Sequence, residues 1–582
     1  MALLVEAAPN SRYTAVTKEK AGGATYTPQD LADFVATQVA RAAHLEVGGD
    51  VVKLLDPAAG DGELLMSLLT KLTGQGISAI EVHGFETNAR ALSRAVARIK
   101  HRFPNVALHL VNGNFLEFVL EQVRQNDVGG LFELKGAAPS YDLVIANPPY
   151  VRTQIMGAEQ AQQLARQFGL AGRVDLYHAF IVAMAHVLKP GGIGGFIVSN
   201  RFMTTRSGSA VRQAIREHFN VHHVWDLGDT KLFDAAVLPA VLLVEKHDGQ
   251  ERVSAGFTSI YSTSYKPTQS ATDVVAALAL DGVVDIADGR TFMVKNGTLD
   301  ISASADAVWR VASEASDGWL TTVKANTWRR FGDIGKVRVG VKTCADKVFI
   351  RTDWNDTPAA ARPELLRPLT THHIARPFRA STAKKMRHIL YPHQSVNGQR
   401  KAVDLATYPR TAAYLEQHRS TLEGRTYVIE GGRQWFEIWV PQDPASWDAP
   451  KLVFRDISEA PTFWIDLEGT IVNGDCYWLT CATPGDTDHL WLAAAVANSS
   501  FIEAFYDHSF NNKLYAGRRR FITQYVERFP LPDPQLPISR TIVALAKQIY
   551  DLIGTSDADV LSKGLDGLVW EAFGVPIKKI AG

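Results

Sequence analysis

Val51 to Leu72 read VVKLLDPAAGDGELLMSLLTKL, a short apolar run, a tight glycine turn, and then leucines recurring at helical spacing. Strand, glycine loop and helix in that order open a doubly wound α/β domain. Gly60 and Gly62 let the backbone pass close to a ligand, and Asp56 stands at the carboxyl end of the strand, where open sheets bind their ligands. The loop has neither the third glycine of the dinucleotide fingerprint nor the Lys-Ser/Thr end of a phosphate loop, so its ligand need not carry phosphate.

Outward from this unit, apolar runs alternate with amphipathic helical patterns from Tyr26 to about His247. Further strands are predicted from Glu81 (EVHGFE), Val106 (VALHLV), Tyr141 (YDLVIA), Gly194 (GGFIVS), His222 (HHVWDL) and Ala240 (AVLLVE). With VVKLLD they complete a seven-stranded, open parallel sheet with helices on both faces. A chain of 582 residues is too long for one core, and the texture divides it into 1–250, a Ser/Thr/Gly-rich connector and domain edge at 251–330, and 331–582. The last part carries short aromatic and β-branched segments, as in FRDISEAPTFWIDLEGTIVNGDCYWLTC with turn signals at EG and NGD, and then helical patterns, which predicts a mixed α+β domain.

Composition narrows the class. The chain is 46% hydrophobic and 21% charged, as in soluble globular proteins, and has no apolar run long enough for a membrane span. The N-terminus lacks a basic lead and a clean apolar core, so a cytoplasmic location is expected. Three cysteines argue against a disulfide framework, and Cys476 and Cys481 lack a second ligand pair, so no metal site is expected. With 61 basic and 61 acidic residues, any polyanion site must be a local patch.

The chemistry collects at strand ends. TYTPQDLADFVATQVA, from Thr25, places Thr27 as a helix cap, Pro28 in the first turn and Asp30 in a capping-box pattern. Glu86 at the end of the second strand is placed to accept bonds from two ribose hydroxyls; Asn114 and Phe115, after the third, could bind and flank a purine. YDLVIANPPY closes the fourth strand with Asn147, Pro148, Pro149 and Tyr150. The prolines force the chain out of the sheet in an extended shape, leaving the Asn147 amide oxygen and the Pro148 carbonyl to converge on an exocyclic amine while Tyr150 stacks on its ring.

With TYTP, DPAAGDG, NPPY and a long C-terminal part in this order, the chain resembles the gamma-class amino-methylating DNA methyltransferases, the group that methylates adenine N6. The resemblance implies a Rossmann-like methyltransferase domain followed by a target-recognition domain. It implies that Thr27, Asp56, Ala58, Gly60, Glu86, Asn114, Phe115 and Asn147 help hold S-adenosylmethionine, and that Asn147, Pro148 and Tyr150 hold a flipped adenine. Phe233, in KLFDAAVLPAVLLVEK, falls where the family carries an aromatic on the other face of the base. Asn114 departs from the family's usual Asp; its oxygen still accepts a bond but without charge, which implies weaker cofactor binding.

Two basic stretches interleaved with aromatics are the expected duplex contacts: HHIARPFRASTAKKMRH, with Arg376, Arg379, Lys384, Lys385 and Arg387, and NNKLYAGRRRFITQYVERF, with Lys513, Arg518, Arg519 and Arg520. Other readings of NPPY are N4-cytosine methylation, a base in RNA, or a glutamine amide in protein; a non-catalytic DNA-recognition subunit is the reading from another class. No acidic-acidic-x-Lys constellation stands out, so cleavage is expected to need a separate restriction endonuclease. The expected partners are double-stranded DNA and that endonuclease, with a monomer favoured.

Overall fold

The computed structural model describes residues 27–127, 140–151, 158–170, 174–232, 238–248, 254–301, 308–312, 314–382, 386–483, 485, 487–510 and 518–577. The chain forms two compact units that meet in sequence at Ser313 and Glu314.

In the first unit all seven expected strands are present: β1 (Val52–Asp56), β2 (Ile80–Glu86), β3 (Ala107–Asn112), β4 (Tyr141–Ala146), β5 (Leu188–Ser199), β6 (Phe219–Asp226) and β7 (Pro239–Lys246). Their order is β3-β2-β1-β4-β5-β7-β6. Strands β1 to β5 pair in parallel, whereas β7 lies between β5 and β6 and is antiparallel to both, a departure from the parallel rhythm. The helices include α1 (Gln29–Ala42), α2 (Glu63–Gly74), α3 (Ala89–Arg102), α4 (Phe115–Asp127), α5 (Ala158–Gln167) and α6 (Leu176–Val187).

The period of two along each strand sends neighbouring residues into different cores. Leu143 and Ile145 of β4 pack with Leu31, Val35 and Val39 of α1 and Leu65 and Leu68 of α2, while Val144 and Ala146 pack on the other face with Phe115 and Phe180. Each fully buried Leu, Val or Phe contributes roughly 1.5–3 kcal/mol. Gly195 of β5 permits the closest approach of α1, since a Cβ there would lie 2.3 Å from Val39 Cγ2.

The connector expected at 251–330 is instead two things. The sheet runs on through β8 (Gly256–Ser262), β9 (Gln269–Ala271), β10 (Gly282–Ile286), β11 (Thr291–Asp300) and β12 (Arg310–Ala312), with β8 pairing in parallel with β6. From Glu314 the chain belongs to the second unit, beginning with the helix Glu314–Ala325. Polar residues in β8 disguised it as a loop. Thr258 is buried, but its hydroxyl donates to Asn296 Oδ1 at 2.6 Å and pairs with His223 Nε2 at 2.9 Å, so burial leaves it satisfied.

The second unit is mixed α+β. One four-stranded sheet joins Val337–Val339, Cys476–Leu479, Lys451–Arg455 and Phe463–Asp466; another joins Ile350–Arg351, Arg387–Leu390, Leu366–Thr370 and Ile471–Val472. The expected turns fall between these strands: Gly469 takes φ 69° at EG, and Cys476 N–H donates to the Asn473 carbonyl at 2.9 Å across NGD. Trp354, Trp447, Trp464 and Trp478 fill its core, and helices Asp488–Ala497, Ser500–Phe510, Pro537–Leu552 and Ser556–Ala572 follow. Among the described residues no helix is long and apolar enough to cross a membrane.

Candidate active site

The glycine loop is built by its own backbone bonds. Asp56 ends β1 and its Oδ1 accepts the Ala58 N–H at 3.0 Å, which starts the turn. Gly60 and Gly62 sit at φ 56° and 87°, the left-handed region that costs other residues strain. Gly62 is also pressed against α3, where a Cβ would lie 3.1 Å from Ala95 Cβ. Glu86, at the end of β2, laces two loops together: Oε2 accepts from Gly60 N–H at 2.9 Å and Oε1 from Asn88 N–H at 2.7 Å.

Asp56 is 1% exposed, and burial pushes its carboxyl up to about 7, with the Ala58 bond pulling down and the charge of Glu86 pushing up. Its Oδ2 has no hydrogen-bond partner among the described residues. A carboxylate held half-satisfied at a strand end suits a ligand that brings a donor or a positive charge.

At the neighbouring strand end, the Asn147 amide nitrogen donates to Thr27 Oγ1 at 3.0 Å. Thr27 is therefore not the cap of α1. The residue at that position is Pro28, extended at φ −62° and ψ 150° with no side-chain cap bond, which leaves the Thr27 hydroxyl one residue too far out to reach the helix and free to orient the NPPY amide instead. Pro148 is buried, and Tyr150 is half-buried with its ring 6.4 Å from that of Tyr177 on α6; burial raises the phenol of Tyr150 far above its ordinary range.

Asn114 and Phe115 lie beyond β3. Asn114 Oδ1 accepts from Leu116 N–H at 3.0 Å, serving the first turn of α4, and Phe115 is buried with ring centroids 5.5 Å from Phe85 and 5.9 Å from Phe180. Phe233 lies outside the described residues. The end of β6 is anchored by a network that pattern reading missed. Asn200, just past β5, donates to Asp226 Oδ1 at 3.0 Å, and Tyr261 of β8 donates to Asp226 Oδ2 at 2.7 Å. Gly228 N–H adds a third bond to Asp226 at 3.2 Å, and burial pushes this carboxyl up to about 6. An Asp closing a strand, as in HHVWDLGD, was the available signal.

The basic residues of the second unit divide. Arg519 is buried, with bonds to both oxygens of Asp507 at 2.8 and 3.0 Å, an ion pair to Glu503 at 3.2 Å and a bond to the Glu459 carbonyl at 2.7 Å. This corrects the expectation of a duplex contact from it, because a guanidinium so satisfied braces the fold. Arg520 pairs with Asp456 at 3.1 Å, whereas Arg518 is 55% exposed and, among the described residues, makes a long 3.9 Å approach to Glu459. Arg376 is half-buried with its guanidinium against Gly554, and Arg379 stacks 4.8 Å over the ring of Tyr550. Lys384, Lys385 and Lys513 lie outside the described residues.

Comparison with known proteins follows this division. Residues 75–233 match the Eco57I restriction-modification methylase family and residues 399–531 match the TaqI-like C-terminal specificity domain. The type II methyltransferase M.BanIII of Aneurinibacillus aneurinilyticus is 37% identical over 577 residues, spanning 96% of this chain and 98% of its own. The chain belongs to the type II restriction-modification methyltransferases. The methyltransferase M.BstVI of Geobacillus stearothermophilus is 25% identical across 88% of this chain and 90% of its own. Among solved structures, the type IIL restriction-modification enzyme MmeI in complex with DNA superposes with a TM-score of 0.57 at 13% identity, covering 95% of this methyltransferase and 73% of that chain, a likeness of fold.

Proposed function

We propose that this methyltransferase moves the methyl group of S-adenosylmethionine to N6 of an adenine flipped out of a short duplex DNA sequence, as the modification component of a restriction-modification or related genome-defence system. The observation that carries the reading is the bond from the Asn147 amide nitrogen to Thr27, one strand away from the Asp56, Gly60 and Glu86 loop.

The residues present fit the cofactor. Asp56 Oδ2 is buried and lacks a partner among the described residues, and the left-handed glycines open the backbone beside it. Asp56, Ala58, Gly60 and Glu86 would hold it, with Thr27, Asn114 and Phe115 around them. When bound, it supplies an electrophilic methyl on a positive sulfur. Because the Asn147 nitrogen is committed to Thr27, its amide oxygen is the acceptor that faces substrate, and the Pro148 carbonyl is the second. Neither Pro148 nor Pro149 has an N–H to compete for those oxygens. Two acceptors pulling the amine protons out of the ring plane localise its lone pair, turning a poor nucleophile toward the methyl. Tyr150, neutral at any working pH, offers the stacking face, which returns roughly 1–3 kcal/mol of the flipping cost. Phe233 is the proposed aromatic on the opposite face.

For the duplex, the match of residues 399–531 to a specificity domain supports the second unit as reader. Arg518, Arg520, Arg376, Lys384, Lys385 and Lys513 are its proposed contacts. Cleavage would fall to a separate endonuclease.

Digested product DNA is expected to contain N6-methyladenine; N4-methylcytosine alone would overturn the base, and methylation only of RNA or protein would overturn the substrate. Within that test, Asn147→Ala is expected to bind and flip a 2-aminopurine target normally while losing transfer by about 100-fold or more. Tyr150→Ala should leave the flipped base poorly stacked, and Tyr150→Trp should restore part of that stacking. Wild-type turnover by Asn147→Ala would sink the assignment of NPPY.

A further inference from the structure

On the edge of the sheet, three side chains that no role above uses converge on one point. Glu81 and His83 lie two apart on β2 and so share a face, and the parallel register sets His109 of β3 directly beside His83. Glu81 Oε1 is 2.8 Å from His83 Nε2 and 3.6 Å from His109 Nε2, and the three ligand atoms all lie within 4.8 Å of one another. The two imidazoles stack at 5.0 Å with 29° between planes, so both rings present the same nitrogen to the carboxylate, and Tyr141 supports the back of His83 edge-on at 5.2 Å.

We propose that Glu81, His83 and His109 form a binding site for one transition-metal ion of the zinc class. Two imidazoles with one carboxylate suit Zn²⁺, Co²⁺, Ni²⁺ or Cu²⁺, whereas Mg²⁺ and Ca²⁺ prefer all-oxygen sets. Metal bonds of about 2.0–2.2 Å put neighbouring ligand atoms roughly 3–3.4 Å apart, so the two spacings from Glu81 need adjust by only a few tenths of an ångström, and the imidazole nitrogens, within 4.8 Å of each other, close on the ion by side-chain rotation. Binding through Nε2 requires the proton that now joins His83 to Glu81 to pass to His83 Nδ1 or, from a charged imidazolium, to water, so that each ligating imidazole is neutral with its proton on Nδ1. Lys53 sits 3.9 Å from the other oxygen of Glu81, so its ammonium does not occupy the point of convergence. Water would complete the shell on the open side.

The location gives the ion a structural task. Among the described residues strand β3 is an edge strand of the sheet and its residues are mostly exposed, so pairing with β2 is its chief support. A metal bridging His109 to Glu81 and His83 ties β3 to β2 across that pair. Three residues after His83, Glu86 closes β2, and its carbonyl accepts from Asn112 and Gly113 at the end of β3. The clip would therefore steady the strand ends that lead into the glycine loop without touching it.

The experiment uses the full chain stripped with EDTA, titrated with ZnCl₂ by calorimetry, with Co²⁺ as an absorption probe. One tight equivalent is expected, with cobalt bands of nitrogen and oxygen ligation and slower amide exchange over 107–112. His109 is 55% exposed, so His109→Asn is expected to fold as wild type yet lose the tight equivalent and the exchange protection; Glu81→Gln should weaken both. Absence of uptake by the wild type, or equal uptake by His109→Asn, would overturn the site.

Discussion

Asp56 in the first unit and Asp466 in the second are both withdrawn from water, at 1% and 6% exposure, and the chain treats them in opposite ways. Asp466 Oδ2 accepts from Lys451 Nζ at 2.9 Å and from the Thr470 hydroxyl and N–H at 2.6 and 3.1 Å, while Oδ1 accepts from Glu468 N–H at 2.8 Å. Lys451 is itself buried and also donates to the Trp447 carbonyl at 2.6 Å. Asp56 receives the Ala58 N–H alone, and its second oxygen has no partner among the described residues. Both carboxylates lost their hydration on folding, but only Asp466 had it replaced from within. A fully bonded buried charge marks a brace, and a half-bonded one at a strand end marks a place kept for a ligand.

The comparison breaks most visibly at Lys451. Lys451→Met leaves Asp466 buried without its counter-charge, and urea unfolding followed by tryptophan emission is expected to register a loss of about 3–5 kcal/mol. The double variant Lys451→Met/Asp466→Asn should recover part of it. Recovery of nothing would mean that the lysine acts through packing alone.

Asp56 should respond with the opposite sign. Its carboxyl stands near 7 in the fold against an ordinary 3.8, so its contribution to stability is fully present below pH 3.8 and is lost as the pH rises through about 7. Above pH 7 the folded protein carries the cost of a buried charge. Asp56→Asn is therefore expected to melt above wild type at pH 8, with the gap closing as the pH falls toward 4, and to lose S-adenosylmethionine binding. A melting difference independent of pH would remove the titration from the account.

The smallest effect sharpens the same contrast within one run of arginines. Arg518→Ala should leave folding within about 0.5 kcal/mol of wild type and reduce the salt dependence of DNA binding by roughly one unit of slope. Arg519→Ala, which removes the buried guanidinium paired with Asp507 and Glu503, should destabilise the second unit instead. Equal behaviour of the two would show that burial does not separate brace from contact here.

Local physics made much of this readable from residues alone. Strands covered by helices on both faces must be apolar throughout, which is why YDLVIA and AVLLVE stood out, and a left-handed turn needs glycine, which is why DPAAGDG did. NPPY was legible for a similar reason: two prolines end a strand in only one way. The α+β character of the second half followed from turn residues spaced between aromatic runs.

What remained hidden depended on partners distant in sequence. Thr27 looks like a cap until Asn147, 120 residues away, claims its hydroxyl. Thr258 looks like loop composition until Asn296 satisfies it inside the sheet, and Arg519 looks like a phosphate contact until Asp507 and Glu503 enclose it. Glu81, His83 and His109 have no recognisable ligand spacing, and only the parallel register of β2 and β3 brings the third beside the first two. Backbone geometry is dictated by a residue and its immediate neighbours, so strands, turns and the NPPY exit could be read along the chain. Whether a polar side chain is spent or kept depends on which atoms surround it, and those are chosen when the sheet assembles.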